Sequence, residues 1–210
     1  MSRDIIDVYD RSIFEMRNVF TPEECLLFID YFEQSQNKKH GEVLTTGGFG
    51  VNYKLKRTID VVIGDINHKL FTLMIEKIKQ VYREYVKHLN DINRECGLRL
   101  FSMSKFQSSR IQRTDKGGYF AWHSDYNIDP NENRLAGIII YLNDIDEENG
   151  GSTEFNSGRK VQPEVGKVLV FPTSDIHLHR GCTLLNGPSK YIISTFILHD
   201  EYPFVVEDLS

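Results

Sequence analysis

The sequence predicts a mainly β protein with flanking α-helices, in which a double-stranded β-helix, or jelly roll, is supported by N-terminal helices. From residue 98 onward, short extended segments alternate with Gly, Asn, Asp and Pro, which is typical of a double-sheet jelly roll. Two segments before residue 98 show helical patterns instead. The length of 210 residues is ample for one core and short for two. We therefore expect a single domain over residues 1–210, with helical support over about 1–97 and the jelly roll over about 98–200.

The first helix is marked by its start signals. Thr21 is a candidate N-cap, Pro22 suits the first helical position, and Glu24 completes a capping box, so a helix should run to about Glu33. We expect its apolar stripe to pack on the core through Leu26, Ile29 and Phe32.

A second, longer helix is predicted over residues 66–89. Its apolar and aromatic residues recur every three or four positions, which is the period of one helix face. They are Leu70, Met74, Ile78, Tyr82, Tyr85 and Leu89. This helix should back the sheet and take no part in chemistry.

The segment W-H-S-D-Y, residues 122–126, carries a pair of candidate metal ligands. His123 and Asp125 are two residues apart, so they share a face on a strand but lie on nearly opposite sides of a helix. Two strand residues rise roughly 6.6 Å, and metal bonds of about 2.0–2.2 Å can converge on one ion from that separation. The glycines and aromatic residues before the pair favour an extended segment. Alone, the pair is also compatible with a histidine and an aspartate that cap a loop.

A third ligand and a lysine follow further along the chain. The apolar run 167–171 is typical of a buried strand. His177 and His179 come after it and would face the same way on a strand. Lys190 opens another apolar strand, where a buried ammonium would be costly without an anion. Two imidazoles and one carboxylate leave coordination positions free, which is typical of a non-haem Fe(II) oxygenase.

Taken together, these motifs resemble the prolyl 4-hydroxylase branch of the Fe(II)/2-oxoglutarate dioxygenases. That family carries, in this order, H-x-D, a strand ending in Tyr-Leu-Asn, G-G-x-T-x-F, H-x-G and a downstream Lys or Arg. The matching residues here are His123-Ser124-Asp125, Tyr141-Leu142-Asn143, Gly150 to Phe155, His179-Arg180-Gly181 and Lys190. The resemblance covers residues 99–198 and extends more loosely to Thr21–Cys25 and Arg57-Thr58.

The resemblance implies a set of cofactors and of site residues. Fe(II) would be held by His123, Asp125 and His179, and these residues with Lys190 would be the catalytic ones. Lys190 would hold the distal carboxylate of the cosubstrate 2-oxoglutarate, with the Tyr141 hydroxyl as a second contact. A core tyrosine with a satisfied hydroxyl is the alternative for Tyr141. O2 would be the other cosubstrate, and ascorbate is a candidate reductant.

The third ligand requires a choice between two histidines, and one other residue departs from the family pattern. His179 is preferred to His177 as the third ligand, because His179 carries the H-x-G step and stands at a family-like interval from Lys190. His177 would then lie behind the ligands or at the rim of the site, or would have a plain surface role. Many relatives carry a tyrosine about ten residues before the H-x-D histidine, where it contacts the cosubstrate, whereas this chain has Arg113 there.

The resemblance also implies the reaction, hydroxylation of a prolyl residue in a peptide or protein with release of succinate and CO2. Phe120, Trp122 and Tyr126 could offer aromatic surface to a proline ring, although core packing explains such residues at least as often. Related enzymes close a loop over the substrate, so the polar, glycine-bearing segment 35–57, in which a short hairpin would fit, is either a lid or a solvated loop. The alternatives are hydroxylation of another side chain or of a free amino acid, and a non-catalytic binding module that retains the metal.

Composition limits the partners and the compartment. A net charge of −5 argues against a nucleic-acid surface. Cys25, Cys96 and Cys182 are too few and too scattered for a disulfide framework, so we expect reduced thiols. No apolar run approaches the roughly 18 residues of a membrane span, and the N-terminus has no signal core. We therefore expect a cytoplasmic protein without nucleic-acid or membrane partners, and the sequence leaves the oligomeric state open.

Overall fold

Antiparallel strands make up most of the regular secondary structure. The computed structural model describes residues 10–45, 48–63, 68–92, 104–106, 109–126 and 134–199. In these ranges the helices are α1 (Pro22–Gln34) and α2 (His68–Ile92). The strands are β1 (Phe14–Met16), β2 (Lys39–His40), β3 (Glu42–Thr45), β4 (Gly48–Val51), β5 (Ile59–Ile63), β6 (Ser104–Phe106), β7 (Ser109–Thr114), β8 (Phe120–His123), β9 (Arg134–Tyr141), β10 (Thr153–Phe155), β11 (Lys160–Val161), β12 (Val168–Pro172), β13 (His179–Gly181) and β14 (Lys190–His199).

The strands form two main sheets and a separate hairpin. The major sheet has the order β1-β12-β9-β14-β7-β5-β2, with β6 also paired to β14, and the minor sheet has the order β11-β10-β13-β8. β3 and β4 pair only with each other among the described strands. Two antiparallel sheets built from alternating segments of the chain make the jelly roll, so the predicted fold class is confirmed.

Alternation along β9 separates two layers of core. Ile138 and Ile140 face the helices and join the larger apolar cluster with residues of α1 and α2. Ile139 and Tyr141 face the other way and pack with residues of the minor sheet, among them Phe155. This alternation follows from the two-residue repeat of a strand. The site described below lies on this second side, between the sheets.

The helix α1 begins as predicted but packs differently. The Thr21 hydroxyl accepts a hydrogen bond from the Glu24 amide, and the Glu24 carboxylate accepts one from the Thr21 amide, which completes the capping box. The residues buried against the core are Cys25, Phe28 and Phe32, with Ile29 partly buried. Leu26 is 55% exposed, so its placement in the apolar stripe was wrong. Leu26 lies about 100° around the helix from Cys25, outside the buried face.

The longer helix packs as predicted. Its buried residues include five of the expected stripe, namely Leu70, Met74, Ile78, Tyr82 and Tyr85, and Leu89 is partly buried. No helix in the described ranges has the length and apolar character needed to cross a membrane. Cys25 and Cys182 are free thiols, and Cys96 lies outside the described residues.

The N-terminal half also contributes strands. β5 pairs with β7 and β1 pairs with β12, so residues before 98 extend the major sheet on both sides. The hairpin of β3 and β4 lies within segment 35–57. The division into helical support and jelly roll, and the extent of one domain, stay predictions.

Candidate metal and cosubstrate site

Three candidate metal ligands meet where β8 and β13 pair. His123 ends β8, His179 begins β13, and the two residues are direct neighbours in the register. Asp125 follows two residues after His123, and its carboxylate oxygens lie 3.7 Å from His123 Nε2 and 3.5 Å from His179 Nε2. One ligand atom from each residue lies within 4.8 Å of the other two. Such a group of atoms is close enough to share one ion at bond lengths of about 2.0–2.2 Å.

Backbone carbonyls fix the orientation of both imidazoles. His123 Nδ1 donates to the Ala121 carbonyl at 2.8 Å, and His179 Nδ1 donates to the His177 carbonyl at 3.1 Å. A carbonyl oxygen only accepts, so each Nδ1 carries the proton and each Nε2 presents its lone pair to the other ligands. The imidazoles are therefore held in the tautomer that a metal needs.

Aromatic packing and burial keep the His123 ring neutral. The Phe120 ring stacks on His123 with centroids 3.6 Å apart and planes inclined by 16°. Burial, reinforced by the nearby His179, lowers the pKa of His123 to about 4. At neutral pH this imidazole is therefore unprotonated, so protons compete little with a metal ion for Nε2.

A glycine of the major sheet makes room for the aspartate. A Cβ built on Gly137 of β9 would lie 3.1 Å from the Asp125 carboxylate and 2.8 Å from the Phe171 ring. Phe171 in turn packs edge-on against His179, with ring centroids 4.6 Å apart. The absence of a side chain at residue 137 therefore lets the carboxylate and this ring approach the strand.

Lys190 shares a cavity with the three ligands. It begins β14, is only 4% exposed, and donates from Nζ to the Gly151 carbonyl at 2.8 Å. No carboxylate among the described residues lies within ion-pair distance of its ammonium, and burial lowers its pKa to about 8. The cavity has a volume of about 550 Å³ and is lined by Lys190 and by all three ligands. A buried cation facing a cavity is a site for an anion.

Tyr141 lies behind the cavity wall. It is fully buried, and its hydroxyl donates to the Thr153 hydroxyl at 2.8 Å. Thr153 lines the cavity, whereas Tyr141 does not. Sequence reasoning quoted Thr153 only as part of the G-G-x-T-x-F motif and assigned it no role. Direct contact between Tyr141 and a cosubstrate stays a prediction.

Arg113 lies on the other face of the major sheet. Its guanidinium donates to the Glu33 carboxylate of α1 at 3.0 Å. Gln112 and Thr114, its neighbours along β7, line the cavity instead. Residue 113, where the chain departs from the family pattern, therefore does not line the cavity.

His177 lies in a turn before β13. Its amide donates to the Ser174 carbonyl, and its ring nitrogens lie 2.6 Å from the Ser174 hydroxyl and 2.8 Å from the Ser12 hydroxyl. The expectation that His177 and His179 face the same way does not hold, because the strand begins only at His179. The structure brings His179, and not His177, to His123 and Asp125.

A buried ion pair beside the site was missed by sequence reasoning. Lys56 and Asp60 are 3% and 6% exposed, and Lys56 Nζ lies 2.9 Å from the Asp60 carboxylate, which also accepts from the Thr58 hydroxyl. The Lys56 ammonium lies 5.1 Å from the centre of the Phe120 ring that stacks on His123. The available signal was Asp60, a charged residue within the apolar strand β5.

Comparisons with known proteins agree with this geometry. Residues 107–198 match the family model of the 2OG-Fe(II) oxygenase superfamily. A viral collagen prolyl hydroxylase from Paramecium Bursaria Chlorella virus-1, solved with 2OG, is 20% identical with a TM-score of 0.62, covering 89% of this chain and 94% of that chain. A Pseudomonas putida prolyl-4-hydroxylase is 12% identical with a TM-score of 0.65, covering 93% and 98%. A Trichoplax adhaerens prolyl hydroxylase, solved with a hypoxia inducible factor peptide fragment, is 15% identical with a TM-score of 0.65, covering 93% and 89%. A search of curated proteins by sequence found no match.

The jelly roll with a His-Asp-His group where β8 and β13 pair is the part of the chain that these comparisons match. Residues 107–198 match the 2OG-Fe(II) oxygenase superfamily, and the fold is that of solved prolyl hydroxylases.

Proposed function

We propose that this protein is an Fe(II)- and 2-oxoglutarate-dependent dioxygenase that hydroxylates a prolyl residue in a peptide or protein, with release of succinate and CO2. The observation that carries the proposal is the shared cavity, in which three convergent ligand atoms and the buried Lys190 ammonium face the same space. 2-Oxoglutarate matches both features, since its keto acid end offers oxygen atoms to a metal and its other end offers a carboxylate to a lysine.

The donor set suits ferrous iron. His123, Asp125 and His179 supply two nitrogens and one oxygen and leave coordination positions for other ligands, as in the facial triads of non-haem iron oxygenases. When bound, Fe(II) and 2-oxoglutarate supply the activation of O2 and the oxidation of a substrate C–H bond. The chain itself holds the ligands in the correct tautomer and surrounds them with the apolar side chains of Phe120, Phe171 and other residues, which exclude water.

Lys190 would orient the cosubstrate through its far carboxylate. Two of the three ammonium protons remain for that carboxylate, because one is used by the Gly151 carbonyl. The Thr153 hydroxyl accepts from Tyr141, so its own proton is free to point into the cavity. Tyr141 and Thr153 would together present one further donor to the cosubstrate.

The prolyl substrate is supported by the relatives in fold and by the mouth of the cavity. The three structural relatives described above are prolyl hydroxylases, and one was solved with a peptide fragment. Leu44 and Phe49 of the hairpin and Trp122 and Tyr126 beside the ligands line the cavity with exposed apolar surface. A proline ring packs well on such aromatic faces. The hairpin of β3 and β4 would act as the lid.

Turnover of purified protein tests the proposal. With Fe(II), 2-oxoglutarate and ascorbate, we expect slow formation of succinate without a peptide and faster formation with a proline-containing peptide that gains one oxygen atom by mass spectrometry. Gain of oxygen at another side chain or on a free amino acid would replace the prolyl assignment. Complete absence of succinate, with metal and 2-oxoglutarate bound, would instead identify a binding module.

A further inference from the structure

One cation on the cavity wall has no hydrogen-bond or ion-pair partner among the residues that the structure describes. In the described part of the chain the wall carries four Lys and Arg side chains, namely Lys56, Arg110, Arg134 and Lys190. Lys56 pairs with Asp60, and Lys190 donates to Gly151. Arg134 donates to the Asp125 carbonyl and lies 3.8 Å from the centre of the Phe196 ring. Arg110 makes no hydrogen bond or ion pair with any described residue.

The position of Arg110 is set by the register of β7. Arg110 lies opposite Ser194 of β14, and Ser194 lies opposite Ile139 of β9. Ile139 is two residues from Gly137, the residue against which Asp125 packs. With strands spaced about 4.8 Å apart, Arg110 therefore lies roughly 10 Å across the sheet from the strand that contacts the metal ligands. Arg110 lines the same cavity as the three candidate ligands.

Arg110 and Lys190 occupy different ends of the same wall. Lys190 lies opposite Thr114, which is four residues from Arg110 along β7. Four strand residues span about 13 Å, too far for one small dicarboxylate held at the metal and at Lys190 to reach Arg110 as well. Arg110 is therefore left open to a second molecule in the cavity.

The chemistry of that second molecule follows from the guanidinium. Arginine stays charged at every physiological pH, offers five donors in a plane and binds carboxylates through two parallel hydrogen bonds. The other carboxylates on the described wall are Asp125, which belongs to the ligand group, and Glu42, which lies exposed on the hairpin. The wall beside Arg110 thus offers a cation to a carboxylate of the substrate.

On the basis of the function proposed above, we propose that the peptide substrate carries a carboxylate and that Arg110 binds it, as a specificity-determining residue. The apolar mouth formed by Leu44, Phe49, Trp122 and Tyr126 holds the rest of the peptide. The carboxylate comes from an acidic side chain near the target residue or from the C-terminus of the peptide.

A glutamate scan distinguishes these sources. A proline flanked by alanines, with both ends blocked, is compared with peptides that carry one glutamate or one lysine at each position in turn and with a peptide that has a free C-terminus. For each peptide, kcat/KM is measured with Fe(II), and Kd is measured separately with Ni(II) and 2-oxoglutarate in place of the working metal. The proteins compared are wild type, Arg110→Gln, Arg110→Glu and Arg83→Gln, the last of which removes an exposed arginine of α2.

We expect at least one carboxylate-bearing peptide to have a kcat/KM and an affinity roughly tenfold or more above those of the neutral peptide, which is the gain that a charge-assisted pair provides. Arg110→Gln should abolish this preference, Arg83→Gln should keep it, and Arg110→Glu should instead favour the peptide with lysine at the same position. The proposal is overturned if wild type shows no such preference in either measurement, or if Arg110→Gln keeps it. Failure of the proposed hydroxylation alone would appear as preferential binding without oxygen transfer.

Discussion

His179 and His177 differ in what surrounds them, although they are two residues apart. His179 directs Nε2 at the Asp125 carboxylate, while both ring nitrogens of His177 lie within hydrogen-bond distance of serine hydroxyls. We expect His179→Ala to abolish metal binding in calorimetric titration with Co(II) or Ni(II). His177→Ala should keep metal affinity within a few-fold and lose about 1–3 kcal/mol of stability, because it removes two hydrogen bonds with partly buried serine hydroxyls. The opposite pattern would move the third ligand to His177.

Lys190 should destabilise the protein that lacks cosubstrate. Burial lowers its pKa to about 8 from an ordinary value near 10.5, and a difference of this size corresponds to about 3 kcal/mol. Lys190→Met should therefore raise the free energy of unfolding at pH 7 by at most about 3 kcal/mol, since the variant also loses the bond to Gly151.

The pH dependence of this effect has a definite sign. Between pH 8 and 10.5 the unfolded chain keeps the Lys190 proton and the folded protein releases it, so wild-type stability gains with pH relative to Lys190→Met. Urea unfolding should show that the difference in free energy of unfolding between Lys190→Met and wild type is smaller at pH 10 than at pH 7. A difference that stays constant would mean that the ammonium is solvated and not buried.

Gly137 of β9 leaves the space that Asp125 and Phe171 occupy. A methyl group at residue 137 would lie too close to the Asp125 carboxylate and to the Phe171 ring. We expect Gly137→Ala to weaken metal affinity about 10- to 100-fold, as other changes around metal ligands do, and to cost about 1–3 kcal/mol of stability through overpacking. Gly50→Ala on the hairpin is the matched control, because nothing lies within 4 Å of its added Cβ. Equal metal affinity in both variants would show that Asp125 has room to move.

Helices and strands with strong periodicity could be predicted from the sequence, and so could the candidate ligand pair of His123 at the end of β8 and Asp125 just after it. α2 satisfies the three-to-four repeat over its whole length, and two ligands at i and i+2 converge only from an extended segment. Side-chain direction beyond a loop could not be predicted. The loop between β7 and β8 separates Arg113 from His123, so counting ten residues back does not tell which face of β7 is reached.

Contacts between residues far apart in the sequence could not be predicted from it either. The hydrogen bond from Tyr141 to Thr153 and the ion pair of Lys56 with Asp60 depend on how the two sheets and the loop before β5 meet. The His177 turn had no sequence signal stronger than the serine three residues before it. Motif order therefore predicted the three residues that meet at the candidate metal site, while the residues of the cavity wall are known only from the folded structure.

The two sheets of the jelly roll contribute different parts of the site. The histidine ligands come from β8 and β13 of the minor sheet, whereas Lys190 comes from β14 of the major sheet. A metal ion would therefore tie together neighbouring strands of one sheet. A cosubstrate held by both the metal and Lys190 would connect the two sheets across the cavity, and its binding should stabilise the whole fold.

Thermal unfolding with sequential ligands tests this arrangement. A ligand at 100 times its Kd stabilises the folded state by about 2.7 kcal/mol, which for a chain of this length raises Tm by about 5–11 °C. The Tm of wild type should rise once with Ni(II) and again when 2-oxoglutarate is added. Lys190→Met should keep the first rise and lose most of the second, and His179→Ala should lose both, because the keto acid then has no metal to bind. A second rise of full size in Lys190→Met would show that the cosubstrate does not bridge the sheets through this lysine.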